Sequence, residues 1–267
     1  MAGPFTADQP SILDLLNLEY IEQNLYRSSV VFDAQRPRLY GGQVAAQALY
    51  AAGQTVPDGR LPHSLHGYFL REGSPLRPTV FQVERDRDGH SFSARRVVAI
   101  QNGEVIFNMA ASFTTPRSGV DLDAEPAPAA PAASTLPVWG RHNHESFEFR
   151  AAQPERGGYR MPSKFWIRCT ASLPDDPLLH AAVLTYTSDI STGLLALESD
   201  GMQSGPSLDH AVWFHRQGRM DEWTWQDLDP ETAAAGRGLY TGAVYSESGV
   251  RLATIAQEAL FRKARQP

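Results

Sequence analysis

The chain carries a single cysteine, Cys169, among 267 residues. That excludes an intramolecular disulfide and any cysteine cage for a metal. Apolar runs are short, and none approaches the ~18 residues that a membrane-crossing helix needs. No basic, apolar leader opens the sequence either, so the expectation is a soluble, cytoplasmic protein with no membrane partner. Positive charge is the scarcer sign: 24 Lys and Arg against 30 Asp and Glu give a net charge of −6, which argues against nucleic acid as a partner. Three widespread signatures are missing as well: the GxxxxGK(S/T) phosphate loop, the HExxH zinc helix and the GxSxG nucleophile elbow. Two histidine pairs, His63 with His66 and His142 with His144, have no third ligand nearby on a rigid element, and no metal is expected.

What the chain does have is a faint repeat of itself. Residues 89–113 read GHSFSARRVVAIQNGEVIFNMAASF, and residues 236–261 read GRGLYTGAVYSESGVRLATIAQEALF. Each copy is a β-branched and aromatic stretch, a two-residue turn (Asn102-Gly103 or Ser248-Gly249) and a second apolar strand, the pattern of a β-hairpin. With Gly103 set on Gly249, Ala110-Ala111 fall opposite Ala256-Gln257. Only the second copy puts polar chemistry at that place, which marks Gln257 on a duplicated scaffold.

The repeat extends upstream. A strand beginning at Ser64 precedes the first hairpin and one beginning at Ser207 precedes the second, and ahead of each lies a helical pattern. Residues 42–52 stop at Gly53, where a left-handed residue suits a helix end. Asp176 as N-cap and Pro177 at the first helical position open the second helix, which runs through Leu184. Each half therefore reads as strand, helix, then long antiparallel strands, an α+β arrangement with the sheet wrapped on the helix. Cys169 falls in a strand over residues 164–170, where a buried, inert thiol is expected. Between the halves, Pro126, Pro128 and Pro131 stand among alanines, which predicts an extended, solvent-exposed linker. The division is an N-terminal unit over 1–116, a Pro/Ala-rich linker over 117–145 and a C-terminal unit over 146–267. Residues 150–161, with Gly157-Gly158, read as a loop.

Set in order, the motifs resemble those of the acyl-CoA thioesterase II family. They are LYGGQVAAQAL from Leu39, SLHGYFLR from Ser64 and VERDRDGHSFS from Val83 in the first half. In the second half they are LPDDP from Leu173, YTSD from Tyr186, SLDHAVWFH from Ser207 and AQE from Ala256. The resemblance implies a double hotdog fold, two tandem units each with a long helix wrapped by an antiparallel sheet. It also implies hydrolysis of acyl-CoA to a free acid and CoA, with no cofactor, by an oligomer of identical chains. The family's Asp, Thr or Ser, and Gln fall on Asp189, Ser207 and Gln257, which would orient a water and take its proton.

Each of these residues also has a plain structural reading. Asp189 suits the cap of a following helical turn, Ser207 after Gly205-Pro206 suits a strand start, and Gln257 suits a solvent-facing strand position. Asp209 and His210 read as supporting rather than catalytic. The alternative function is a noncatalytic acyl-CoA or acyl-thioester binding protein on the same scaffold; retention of all three polar residues favours the enzyme. A hotdog dehydratase would need an acid paired with a histidine on the central helix, and His180 lacks that companion.

Overall fold

The computed structural model describes residues 5–6, 10–31, 38–139, 146–152, 161–199 and 201–263. His142 and His144 lie outside these residues, as does most of the expected loop at 150–161. The chain opens with β1 (Phe5–Thr6), α1 (Ile12–Leu16), β2 (Leu18–Glu22), β3 (Leu25–Ser28) and β4 (Val30–Val31). The long helix α2 (Gly41–Gly53) follows, then β5 (Leu61–Phe69), β6 (Val80–Asp88), β7 (Phe92–Gln101) and β8 (Glu104–Thr114). The second half contains β9 (Phe147–Arg150), β10 (Lys164–Cys169), α3 (Pro177–Ser188), β11 (Met202–Ser207) and β12 (Asp209–Phe214). It ends with β13 (Thr224–Ala234), β14 (Arg237–Ser246) and β15 (Arg251–Lys263).

Apart from β1 and β4, which pair with each other, these strands form one sheet in the order β2, β3, β6, β7, β8, β5, β12, β15, β14, β13, β10, β9, with β11 also on β15. The two half-sheets meet edge to edge where β5 pairs antiparallel with β12, Leu65 opposite Val212. Such pairing leaves neither half an open edge at the seam. Both long helices are buried under this sheet, and residues of both halves share one apolar core. The architecture is an α+β double hotdog.

Small residues let the helices approach. Ala45, Ala46, Ala48, Ala51 and Ala52 of α2 are fully buried. Gly53 does not take the left-handed conformation expected of it; the helix continues through it to an αR cap at Gln54. Its glycine identity answers to packing instead, since a Cβ there would meet the Leu178 side chain at 2.4 Å. The start of α3 is as read from sequence, with the Asp176 side chain accepting from the Leu178 N–H at 2.9 Å. Cys169 is buried on β10, and burial pushes its thiol up from the ordinary value.

The repeat is visible in three dimensions, with one difference at the turns. Asn102 and Gly103 both have positive φ, as a tight two-residue hairpin requires. In the second hairpin only Gly249 does, and the Ser246 N–H donates to Val250 O across a three-residue loop, 247–249. Ser248-Gly249 is therefore not a two-residue turn; serine lacks the freedom that Asn102 uses. Beyond the turns the copies agree in detail. Ile106 and Leu252 are each the extra residue of a bulge, and each carbonyl accepts two N–H groups: Leu70 and Arg71 on Ile106, His215 and Arg216 on Leu252. Five residues after each bulge stand Ala111 and Gln257, and six residues before each arginine stand Leu65 and His210.

The proline-rich run is extended but not free. Arg216 pairs with Asp121 and Asp123, and Trp166 Nε1 donates to Pro131 O at 2.8 Å. Ala133 is buried in a cluster with Trp166, Trp225 and Tyr245, against which Ala127, Ala130 and Leu136 also pack. The alanines thus face an aromatic patch on the outside of the second half-sheet, and the segment is a strap.

Candidate active site

Three elements distant in sequence meet at the C-terminal end of α3. Asp189 is the residue at which that helix ends, and its side chain caps no later turn; Thr192 caps the short 3-10 turn Gly193–Leu197. Ser207 ends β11, where the ladder with β15 slips between Ser204 and Ser207. Pro206, which has no N–H to give the ladder, lies inside that irregular stretch. Gln257 lies on β15 and is 3% exposed, so it belongs to the inner face and not to solvent. Ile255 and Ala259, two residues either way, are buried on the same face, as the period of a strand demands.

Gln257 ties the group together. Its Nε2 donates to Asp189 Oδ1 at 2.9 Å and to Ser207 Oγ at 2.6 Å. Ser207 Oγ lies 3.5 Å from the same Asp189 oxygen, leaving its hydroxyl proton loosely held. The Gly42 N–H also donates to Asp189. Helix α2 has no side-chain cap at Tyr40, so its first N–H groups are orphans that a carboxylate can satisfy. One N–H of the Gly41-Gly42-Gln43 turn is thereby engaged with Asp189.

Close approach requires both glycines there. A Cβ on Gly41 would lie 2.7 Å from Asp189 Oδ2, and one on Gly42 would lie 2.6 Å from Tyr186 O. Burial raises the Asp189 pKa above that of an ordinary carboxylate, against the lowering influence of the hydrogen bonds from Gln257, Gly42 and Ser207. Neighbouring Tyr40 and Tyr240 are pushed well up by the same burial, and each phenol stays neutral. The polar residues after Asp189 bond to backbone: Ser191 Oγ donates to Pro162 O at 2.7 Å, and Thr192 is the cap just named.

His210 also enters the site from the inner face of β12. Its Nδ1 contacts Gln257 Oε1, and its Nε2 lies 2.7 Å from Ser188 Oγ. Asp209 points the other way and accepts from the Glu258 N–H at 2.7 Å. The remaining candidates are elsewhere. His63 bonds Ser112, His66 stacks edge-on to Trp213, and among the described residues no group of three or more His, Cys, Asp or Glu could hold a metal. His180 sits in the first turn of α3, accepting from the Met220 N–H, and lines a separate cleft of about 760 Å³ with Arg216 and Trp223. On β7, Arg95 is buried against Asp88 and Thr55, while Arg96 pairs with Glu84 and Asp86.

Known families match both halves of the chain. The profile of the acyl-CoA thioesterase N-terminal domain matches residues 30–114, and that of acyl-CoA thioesterase matches residues 142–260. Acyl-CoA thioesterase 2 of Haemophilus influenzae is 33% identical over 94% of this chain and 97% of its own. The chain belongs to the acyl-CoA thioesterase family. Acyl-coenzyme A thioesterase 8 of Homo sapiens is 32% identical over 94% of this chain and 88% of its own. The crystal structure of an acyl-CoA thioesterase II from Mycobacterium marinum superposes with a TM-score of 0.80 at 38% identity, covering 95% of this chain and 99% of that one. Within this thioesterase scaffold, the polar cluster lies entirely in the second half apart from the Gly42 N–H. That N–H is a backbone donor supplied by the start of α2.

Proposed function

We propose that the chain hydrolyses acyl-CoA thioesters to a free acid and CoA, using a water bound between Asp189, Ser207 and Gln257. The observation that carries this reading is the Gln257 amide, whose nitrogen reaches Asp189 Oδ1 and Ser207 Oγ at once. Asp189 takes a proton from the water as its oxygen bonds to the thioester carbon. The carbon–sulfur bond then breaks, and the proton passes from Asp189 to the leaving sulfur. A carboxylate whose pKa is raised by burial suits the first half of that exchange, since it is a stronger base than a solvated one. Ser207 holds the water in line, Gln257 holds Ser207 and Asp189 in register around it, and the remaining N–H groups in the first turn of α2 oppose the developing oxyanion.

In this reading the N-terminal unit 1–116 supplies a helix terminus, the linker 117–145 straps the molecule, and the C-terminal unit 146–267 carries the reacting side chains. The enzyme is cytoplasmic, needs no cofactor and assembles as a homo-oligomer. Release of CoA thiol from a panel of acyl-CoAs tests the proposal. Turnover that Asp189→Asn abolishes supports it, whereas tight acyl-CoA binding without thiol release would identify a binding protein instead.

A further inference from the structure

An amide has two ends of similar shape and opposite hydrogen-bonding sense, so packing alone does not decide which end of Gln257 faces Asp189. With nitrogen toward the site, two protons satisfy Asp189 and Ser207. Turned over, Gln257 would set a carbonyl oxygen against a carboxylate oxygen with no proton between them. Something must hold the first orientation once Asp189 is ionised.

The neighbour able to do so is His210, which has no exposed surface. Its Nδ1 meets Gln257 Oε1, an atom that only accepts, so Nδ1 carries the proton. Burial holds the imidazole pKa below its ordinary value, so the ring is neutral and Nε2 is left as an acceptor. The Ser188 hydroxyl has one proton within reach of two acceptors, Nε2 at 2.7 Å and Thr185 O at 2.9 Å, and with Nδ1 protonated it is Nε2 that takes it. The protons run one way: Ser188 to His210, His210 to Gln257, Gln257 to Asp189. In the first half the corresponding places hold Leu65 and Ala111, cross-strand partners with nothing to orient.

We propose that His210 is a positioning residue that locks the Gln257 amide with its nitrogen toward Asp189 and Ser207. It touches neither substrate nor the attacking water. The proposal rests on the assignment of Asp189, Ser207 and Gln257 above, and it extends that assignment to the residue behind them.

The test is a set of full-length variants assayed for thiol release from one acyl-CoA, with circular dichroism to verify folding. His210→Leu should lower kcat by about tenfold or more with KM little changed, the scale on which a misplaced reacting group acts. His210→Asn, whose amide nitrogen replaces Nδ1–H, should recover most of that loss, and His210→Gln, whose nitrogen falls nearer Nε2, should not. In a Gln257→Ala background, His210→Leu should cost nothing further, because the amide it orients is gone. Equal losses in the two backgrounds, or equal activity of the Asn and Gln variants, would overturn the proposal; the Asn and Gln pair decides even where the leucine variant fails to fold. If Asp189→Asn retains full turnover, the underlying assignment fails and His210 falls with it. If Asp189→Asn is inactive while the His210 series is flat, only the positioning role is lost.

Discussion

Leu65 pairs with Ala111 across β5 and β8, and the corresponding places in the second half are held by His210 and Gln257, joined through Nδ1 and Oε1. Duplication gave both halves the same bulged hairpin and the same strand beside it. One copy fills the inner face with a leucine and an alanine; the other fills it with hydrogen-bonding groups. Burying a polar pair costs stability unless every group is satisfied, and here Asp189, Ser207 and Ser188 complete the set.

Asp189→Asn is expected to keep the fold and acyl-CoA binding but to reduce turnover by ~100-fold or more, the usual scale for loss of a positioned base. Ser207→Ala and Gln257→Ala should each lower kcat less steeply, because the water retains its other partners. Adding either to Asp189→Asn should change little, since the three act on one water as a unit. Thiol-release kinetics of the single and double variants check this. Independent, multiplying losses would mean that the three side chains do not share one task.

Much of this was legible in the sequence. Alternation and turn glycines gave the hairpins, Asp176-Pro177 gave the start of α3, and the offset from Gly249 singled out Gln257. Asp189 and Ser207 stood out only through the family resemblance, because an acid after a helix and a serine before a strand are ordinary in isolation. Other features were hidden in contacts between distant residues. Gly53 reads as a helix stop but is a point of approach to Leu178, 125 positions onward in the chain. The alanines of the strap read as linker because nothing local reveals the tryptophans they cover. The Gly42 N–H has no side chain to read.

Gly41→Ala is expected to damage the site from outside the polar cluster. Its new methyl would fall 2.7 Å from Asp189 Oδ2 and 2.9 Å from Phe69, so the carboxylate or the helix start must move. Overpacking of this kind costs about 1–3 kcal/mol of stability, and a displaced base costs turnover in addition. Gly119→Ala is the control, with no atom within 4 Å of its Cβ. Melting curves and kcat for the two variants check the claim; an active, wild-type-stable Gly41→Ala enzyme would contradict this packing.

Limited proteolysis is expected to cut the strap while the two halves remain associated through β5 and β12. Arg216→Ala, which releases Asp121 and Asp123, should speed the cut. The increase should be modest, because ion pairs at a surface hold a segment down only weakly. Size-exclusion chromatography of the nicked protein reads the association directly. Halves that separate without denaturant would show that the seam does not hold them.

Asp189 sets activity against stability, and the sign follows from its raised pKa. The folded chain keeps this proton to a higher pH than the unfolded chain, so between the two values the native state binds more protons and stability falls as pH rises. Above the ordinary carboxylate range the buried carboxyl is a net burden that a neutral asparagine does not impose. Asp189→Asn should therefore melt above the wild type at neutral pH, by about 2–4 °C for each kcal/mol removed. The difference should shrink as pH falls into the ordinary carboxylate range, where the wild-type carboxyl is protonated in both states. Over the same acid range wild-type kcat/KM should fall, with a midpoint above that of a solvated carboxylate, because the base works only when ionised. A melting difference that grows toward acid would mean that the hydrogen bonds from Gly42, Gln257 and Ser207 outweigh burial. The general base would then be held below, not above, the usual range.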